Sequence, residues 1–172
     1  IGSGVRYDML LAETKDEKVA KSQQDYMREL ISKHVSGRLK IAPEHTAERV
    51  LNIMRKPGFK NFDKFKHLFD QINRDTGKKQ YLSYYFIAAH PGCTIKDMQG
   101  LKTFANEELH IAPEQTQIFT PTPSTWSTLM YATETNPFTG EHIFVEKDPN
   151  QKQRQKDILT QKEQKKTWTK HS

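Results

Sequence analysis

Polar and ionisable residues gather directly after four short apolar segments of this sequence. The four segments read GSGVRYD (2–8), APEHT (42–46), AAHPGCT (88–94) and FTPTP (119–123). Their carboxylates, hydroxyls, histidines and arginine can bind a charged or hydroxylated ligand, and histidine can also transfer protons. In parallel α/β folds, ligands bind at the carboxyl ends of the strands. The four segments together therefore predict one ligand site.

The segment AAHPGCT contains a predicted tight turn. Pro91 and Gly92 enforce the turn, and a glycine has no Cβ that would block the approach of a ligand to the backbone. The helix that follows begins with N–H groups that have no partner inside the helix, and such groups bind anions. We therefore expect the backbone of this turn to contact a ligand.

Cys93 and His90 of the same segment are the residues that could carry out chemistry. We expect a structural role for Cys93, the single cysteine of the chain; the alternative is a thiolate whose pKa is lowered by the helix N-terminus. We expect a hydrogen-bonded structural histidine at residue 90, and the alternative is a general base. A thiol or metal enzyme that uses both residues is a third class of function, but a metal pair would need two further ligands.

Alternating strand and helix periods predict the elements that position these segments. Predicted strands cover residues 38–43, 80–89 and 116–123, and a further strand precedes Arg6. The near-continuous apolar stretch 80–89 is typical of a strand covered on both faces. Strands separated by helical crossovers predict parallel βαβ units, so the fold class is α/β. Predicted helices cover residues 16–34, 46–56, 61–76, 94–109 and 124–131. A turn leading into an irregular strand follows at 136–145, and a last helix opens at 148–149.

Capping residues support the predicted helix starts. Thr46 is the expected N-cap of its helix, and Thr94 with Asp97 has the spacing of a capping box. Asp148 and Pro149 are suited to the N-cap and first position of the last helix.

Composition limits the class of protein. Only 34% of the 172 residues are hydrophobic, which is low for a core of that size. A single cysteine excludes an internal disulfide framework and a cysteine-rich zinc site, and it favours a reducing, cytoplasmic setting. Because no apolar stretch approaches the length of a membrane span, we expect a soluble protein without a membrane partner.

The positive charge is concentrated at one end of the sequence. Residues 150–172 contain seven Lys or Arg against two acids, which accounts for a net +5 of the total of +6. This pattern favours a solvated basic tail, helical or disordered. A nucleic-acid-binding arm is the alternative, but Trp168 is the single aromatic residue in that segment and a surface for stacking bases is poorly supported.

Several long strings resemble the YgiQ-type radical SAM proteins, a largely uncharacterised family. The resemblance covers nearly the whole chain, and the strings that carry it are SGVRYDMLL, HVSGRLKIAPEHTAERVLNIMRKP, KKQYLSYYFIAAHPGCTIKDM and EQTQIFTPTPSTWSTLMYATETNPFTGE with a following DP. It implies a partial (β/α)6 barrel to which this chain supplies the third to sixth strands. Residues 1–123 would then be the C-terminal half of the barrel, 124–149 a barrel-closing extension and 150–172 the tail.

The resemblance implies a binding site for S-adenosylmethionine. The Pro91–Gly92 turn would lie against adenine, with His90 beside it, and Glu44 and His45 would face the ribose and methionine parts. Arg6 could hold the carboxylate of the cofactor in two hydrogen bonds, and Thr120 would complete the site. The alternatives are that Glu44 serves the N-terminus of its helix and that Arg6 pairs with Asp8 on the surface.

The sequence departs from this family at the cluster. Radical SAM enzymes hold a [4Fe-4S] cluster through three cysteines of a CxxxCxxC motif, and this chain has one cysteine. We therefore expect a C-terminal fragment that is inactive alone and whose partners are the missing N-terminal half of the barrel and an unknown substrate. The alternative is a non-catalytic interaction module with a basic tail.

Overall fold

A computed structural model describes residues 4–110 and 115–161 as an α/β fold around a three-stranded sheet. The helices and strands in chain order are α1 Tyr7–Leu10, α2 Glu17–His34, β1 Arg38–Glu44, α3 Glu48–Ile53, α4 Lys60–Thr76, β2 Tyr81–Ala88, α5 Ile95–Glu107, β3 Gln115–Ile118, α6 Trp126–Thr133 and α7 Pro149–Thr160. Residues 162–172 of the predicted tail lie outside the described residues. Among the described helices, none combines the length and the apolar character needed to cross a membrane.

The sheet is parallel and has the strand order β1-β2-β3. The α/β prediction is therefore confirmed, since each strand is joined to the next by helices. Residue 5 adds one parallel bridge at the free edge of β1, where the Val5 N–H donates to the Lys40 carbonyl at 3.1 Å. Val5 thus lies beside β1 in parallel orientation.

Three predicted helix starts are confirmed. The Asp16 carboxylate accepts from the Lys18 and Val19 N–H groups and begins α2. Thr94 and Asp97 form the capping box of α5, and Asp148 with Pro149 begins α7. Each signal depends on atoms within a few residues of the helix start, so the local sequence determines it.

The predicted cap of α3 is wrong. The helix begins at Glu48 with Ala47 in the cap position, and the Thr46 side chain caps nothing. Instead, the ring of His45 accepts at Nδ1 from the N–H groups of Thr46, at 2.9 Å, and Ala47, at 3.0 Å. The imidazole nitrogen thus fixes the backbone just before the helix, and no side chain caps α3 itself.

The β2 strand is covered on one face rather than two. Tyr84, Phe86 and Ala88 are buried, whereas the alternate residues Tyr85 and Ile87 are half-buried. On this second face, the Tyr85 hydroxyl donates to Gln117 Oε1 at 2.6 Å. The described helices pack against the first face.

Two predicted strands are shorter than expected. The β3 strand ends at Ile118, and the ladder gains one further bond from the Phe119 N–H to the Ala88 carbonyl at 2.8 Å. Pro121 has no N–H group to continue the ladder. The sequence 136–145, predicted as a turn leading into an irregular strand, forms a turn and one antiparallel bridge, Thr135 with His142. It lies within a hairpin-like segment that we call segment 134–144.

Aromatic side chains of α4 form the centre of the core. Phe62 stacks on Phe59 with ring centres 4.9 Å apart and contacts Tyr84 of β2 at 5.7 Å. The last helix, α7, packs on α5 and on β2 and β3, and it buries Gln155 and Leu159. As far as Thr160, the chain therefore belongs to the packed body.

Candidate functional site

The residues singled out by the sequence lie at the carboxyl edge of the sheet. Glu44 ends β1, residues 90–92 follow β2, Thr120 follows β3, and Arg6 follows the bridge at Val5. Parallel strands bring these segments to one edge, as expected. Their roles in binding stay predictions, and the side chains differ strongly in how far they reach solvent.

Arg6 and Glu44 lie at a small pocket of about 80 Å³ beside Tyr7 and Lys56. The Arg6 Nε donates to Asp8 Oδ1 at 2.8 Å, so the Arg6–Asp8 pair that the sequence offered as an alternative is present. The guanidinium holds the pKa of Asp8 below its usual value. Lys56 Nζ lies 2.9 Å from Glu44 Oε1. Both candidate side chains thus have protein partners, and the Arg6 side chain is still 63% exposed.

The Pro91–Gly92 turn is buried and its polar groups are bonded within the protein. The Gly92 N–H donates to the Phe144 carbonyl at 2.7 Å, and Arg49 Nη1 donates to the Gly92 carbonyl at 2.7 Å. Gly92 has φ +84°, and a Cβ there would meet Ile53 Cδ1 at 2.3 Å. Glycine is therefore favoured here by conformation, and a Cβ would also force the end of the Ile53 side chain to shift.

The N–H groups expected to be free after this turn are partly used. The Thr94 N–H donates to Asp97 Oδ2 at 2.8 Å, and the Asp97 N–H donates to Thr94 Oγ1 at 3.4 Å. The capping box thus takes up part of the N-terminal binding capacity of α5. Ligand binding by the remaining N–H groups of this turn stays a prediction.

His90 is a hydrogen-bonded, buried histidine, as favoured above. Its Nδ1 lies 2.9 Å from the Pro91 carbonyl, which can only accept, so Nδ1 carries the proton. Its Nε2 then accepts from the Ser127 hydroxyl at 2.8 Å. Burial lowers the pKa of His90 to about 4, so the ring is neutral near pH 7.

His45 joins the start of α3 to Cys93. Because Nδ1 accepts two backbone N–H groups, the proton is on Nε2, which lies 3.5 Å from the Cys93 Sγ. Both side chains are fully buried. Burial lowers the pKa of His45 to about 4 and raises that of Cys93 to about 12. The alternative of a thiolate with a lowered pKa is therefore wrong.

Gln155 of α7 completes this buried network, and the sequence analysis missed it. Its Oε1 accepts from the Ala89 N–H at 3.0 Å and lies 3.4 Å from the Cys93 Sγ, which can donate to it. Its Nε2 donates to the Cys93 carbonyl at 3.4 Å. A helical spacing with Ile158 and Leu159 places Gln155 on the buried face of α7, and that spacing could have identified it.

Thr120 is exposed, and its hydroxyl donates to the Ile118 carbonyl at 3.4 Å. His90 and Cys93 make their side-chain bonds to other groups, which removes the geometric basis for pairing them in a thiol or metal enzyme. Within residues 4–110 and 115–161, no three His, Cys, Asp or Glu side chains converge as metal ligands.

No family model matches the chain. A UPF0313 protein of Fusobacterium nucleatum is 55% identical over 162 residues, which cover 94% of the chain and 28% of that relative. The chain is similar to UPF0313 proteins. The UPF0313 protein of Bacteroides thetaiotaomicron is 48% identical over 92% of the chain, and that of Methanocella arvoryzae is 41% identical over 94% of it. The chain spans about a quarter of the length of these UPF0313 relatives.

Proposed function

We propose that this chain is part of a UPF0313-type radical SAM enzyme and forms one wall of its S-adenosylmethionine site. The observation that carries the proposal is the shared carboxyl edge, to which parallel strands bring Arg6, Glu44 and Thr120. The resemblance to YgiQ-type proteins supplies the reaction class. The remaining half of the barrel, with the cluster motif, belongs to the rest of such a protein.

The residues of this chain do not fit the [4Fe-4S] cluster. Cluster iron is held by several cysteine thiolates, whereas the chain has a single cysteine. That cysteine, Cys93, is fully buried, and burial raises the pKa of its thiol to about 12. The chain has no part in holding the cluster, and alone it is inactive under this proposal.

The residues at the carboxyl edge do fit a charged, hydroxylated cofactor. Arg6 can exchange its Asp8 partner for the carboxylate of S-adenosylmethionine. Glu44 can accept hydrogen bonds from a ribose diol or an ammonium group, beside the cation of Lys56. When bound, the cofactor would supply a carbon-centred radical that abstracts hydrogen from a substrate.

Four other candidates support this edge from within the protein. His45, His90, Pro91 and Gly92 are buried and bonded to neighbouring elements. Their contribution to the site is to fix the strand ends, so that Glu44 holds its position. The half-buried second face of the sheet, with Tyr85 and Gln117, would line the interior where the substrate binds.

Anaerobic reconstitution of a full-length protein that carries this sequence tests the proposal. The wild type should form a cluster absorbance and bind S-adenosylmethionine in equilibrium dialysis. Glu44→Gln should weaken this binding by about tenfold, since a charge-assisted hydrogen bond is lost. Glu107→Gln, on the exposed end of α5, is the matched control and should bind normally.

Two outcomes would overturn this assignment. A full-length protein without a cluster, or one that does not bind the cofactor, would exclude radical SAM chemistry and favour the interaction module. Equal binding by both glutamate variants would remove Glu44 from the cofactor wall while leaving the reaction class intact.

A further inference from the structure

A second groove lies between α3 and segment 134–144. Its volume is about 650 Å³, within the range of roughly 300–1,000 Å³ that small-molecule sites occupy. It shares no lining residue with the pocket at Arg6 and Glu44. The lining residues that matter here are Arg49, Asn52, Arg55, Asn136, Phe138 and Phe144.

One wall of this groove presents an ordered stack of aromatic and cationic groups. The Arg55 guanidinium lies 4.3 Å from the centre of the Phe138 ring. Phe138 in turn meets the Trp126 ring edge-to-face at 4.9 Å. Trp126 is 54% exposed and Phe138 is 47% exposed. Large aromatic surfaces held exposed in a fixed arrangement are typical of binding sites.

The charges of the groove favour an anion at Arg55. The positive charge of Arg49 is balanced by Asp97, because Arg49 Nη2 lies 2.7 Å from Asp97 Oδ2. Within the described part of the chain, no ion pair joins Arg55 to an acid. The acid of the opposite wall, Glu141, accepts a hydrogen bond from Thr139 Oγ1 at 3.1 Å. Arg55 is thus a cation whose neighbour is a ring rather than a carboxylate.

We infer that this groove binds a planar heteroaromatic ring that carries an anionic group, such as a nucleoside monophosphate. A guanidinium can stack on a ring and bind a phosphate through its N–H groups. Phe144, which is 45% exposed, supplies a second apolar surface. Asn52 and Asn136 also line the groove; the Asn136 Oδ1 accepts from the Phe138 N–H at 3.0 Å, which leaves its NH2 group to donate to a ring heteroatom.

The groove is connected to the carboxyl edge of the sheet. Arg49 lines the groove and also donates to the Gly92 carbonyl. Phe144 lines it and accepts from the Gly92 N–H. A ligand in the groove would therefore contact the residues that hold the turn after β2.

Calorimetric titration of the full-length protein with adenosine monophosphate tests the inference. Adenosine, which lacks the anion, and inorganic phosphate, which lacks the ring, should each bind at least about tenfold more weakly. Arg55→Gln should reduce affinity for the monophosphate by about tenfold, while Arg74→Gln in the last turn of α4 should not. Binding should also change the fluorescence of Trp126, and Trp126→Phe should remove that change.

The outcomes separate this groove from the proposed cofactor site. Glu44→Gln should leave binding of the monophosphate unchanged, whatever it does to S-adenosylmethionine. If Glu44→Gln abolishes binding and Arg55→Gln does not, the monophosphate occupies the cofactor site and the inference is wrong. Equal affinities for adenosine and its monophosphate would also overturn it, because the anion would then contribute nothing.

Discussion

The Nε2 of His45 lies 3.5 Å from the Sγ of Cys93, although the two residues are 48 positions apart. The other ring nitrogen of His45 holds the start of α3, and Cys93 follows the turn after β2. One neutral imidazole therefore sets the position of β1 and α3 relative to that turn. Glu44, the neighbour of His45, is placed by the same contact.

The two buried histidines predict a loss of stability in acid. Burial lowers the pKa of His45 and of His90 from 6.5 to about 4, so between these values the unfolded chain binds protons that the folded chain does not. The free energy of unfolding should therefore fall as the pH drops from 6.5 towards 4, by up to roughly 1.4 kcal/mol per pH unit for each histidine. Urea titrations at a series of pH values measure this slope.

The variant His45→Asn is the control for that pH dependence. Its side-chain oxygen can still accept from the N–H groups that begin α3, but it does not titrate. The slope should therefore be smaller in the variant than in the wild type. An unchanged slope would show that His45 is not the titrating group.

Gly92→Ala should destabilise the protein through two separate effects. The added Cβ would meet Ile53 Cδ1 at 2.3 Å, and φ is +84°. We expect a loss of roughly 2–4 kcal/mol in the free energy of unfolding, measured by urea titration. Gly77→Ala, where φ is +66° and no atom lies within 4 Å, should lose only about 1–2 kcal/mol.

Ile53→Val in the Gly92→Ala background removes the Cδ1 that the new methyl group meets. The double variant should recover part of the stability lost by Gly92→Ala. If Gly92→Ala and Gly77→Ala cost the same, packing against Ile53 is not a reason for the glycine.

Gln155→Leu should weaken the attachment of α7 to the strand ends. The substitution leaves the Ala89 N–H without its partner at a buried position, which costs roughly 1–3 kcal/mol. Gln153→Leu is the matched control, because the Gln153 amide bonds Asp157 at the surface of the same helix. The control should change the free energy of unfolding by less than about 0.5 kcal/mol. Similar losses in the two variants would mean that the buried network adds no stability.

Cys93 should resist alkylation in the folded protein. Its side chain is buried and its thiol has a pKa of about 12, so almost no thiolate is available near pH 8. Iodoacetamide should modify the chain only after urea is added, and mass spectrometry reports a single site because the chain has one cysteine. Rapid modification without urea would contradict the buried network.

The sequence predicts those features that depend on neighbouring residues. The predicted caps at Thr94 and Asp148 involve atoms a few positions away, and both are present. The carboxyl-edge location of Glu44 and of the Pro91–Gly92 turn follows from alternating strands and helices, since parallel strands leave no other arrangement.

Features that depend on distant partners could not be predicted. The amide of Gly92 is bonded to Phe144, and Cys93 to Gln155, which is 62 positions away. The sequence indicates that the turn favours a glycine, but it does not show that a Cβ at this position would meet the side chain of Ile53. For the same reason, His45 could be predicted as a ligand-binding residue, although its ring bonds the Thr46 and Ala47 N–H groups just before α3.

The bond between Ala89 and Gln155 has a consequence for synthesis of the chain on the ribosome. The two residues are 66 positions apart, and Gln155 is synthesised after Ala89. At translation rates of roughly 5–20 residues per second, the ends of β1 and β2 leave the ribosome several seconds before α7 can reach them. During that interval the Ala89 N–H lacks the side chain that bonds it in the folded protein, so the end of β2 is completed only when α7 packs against it.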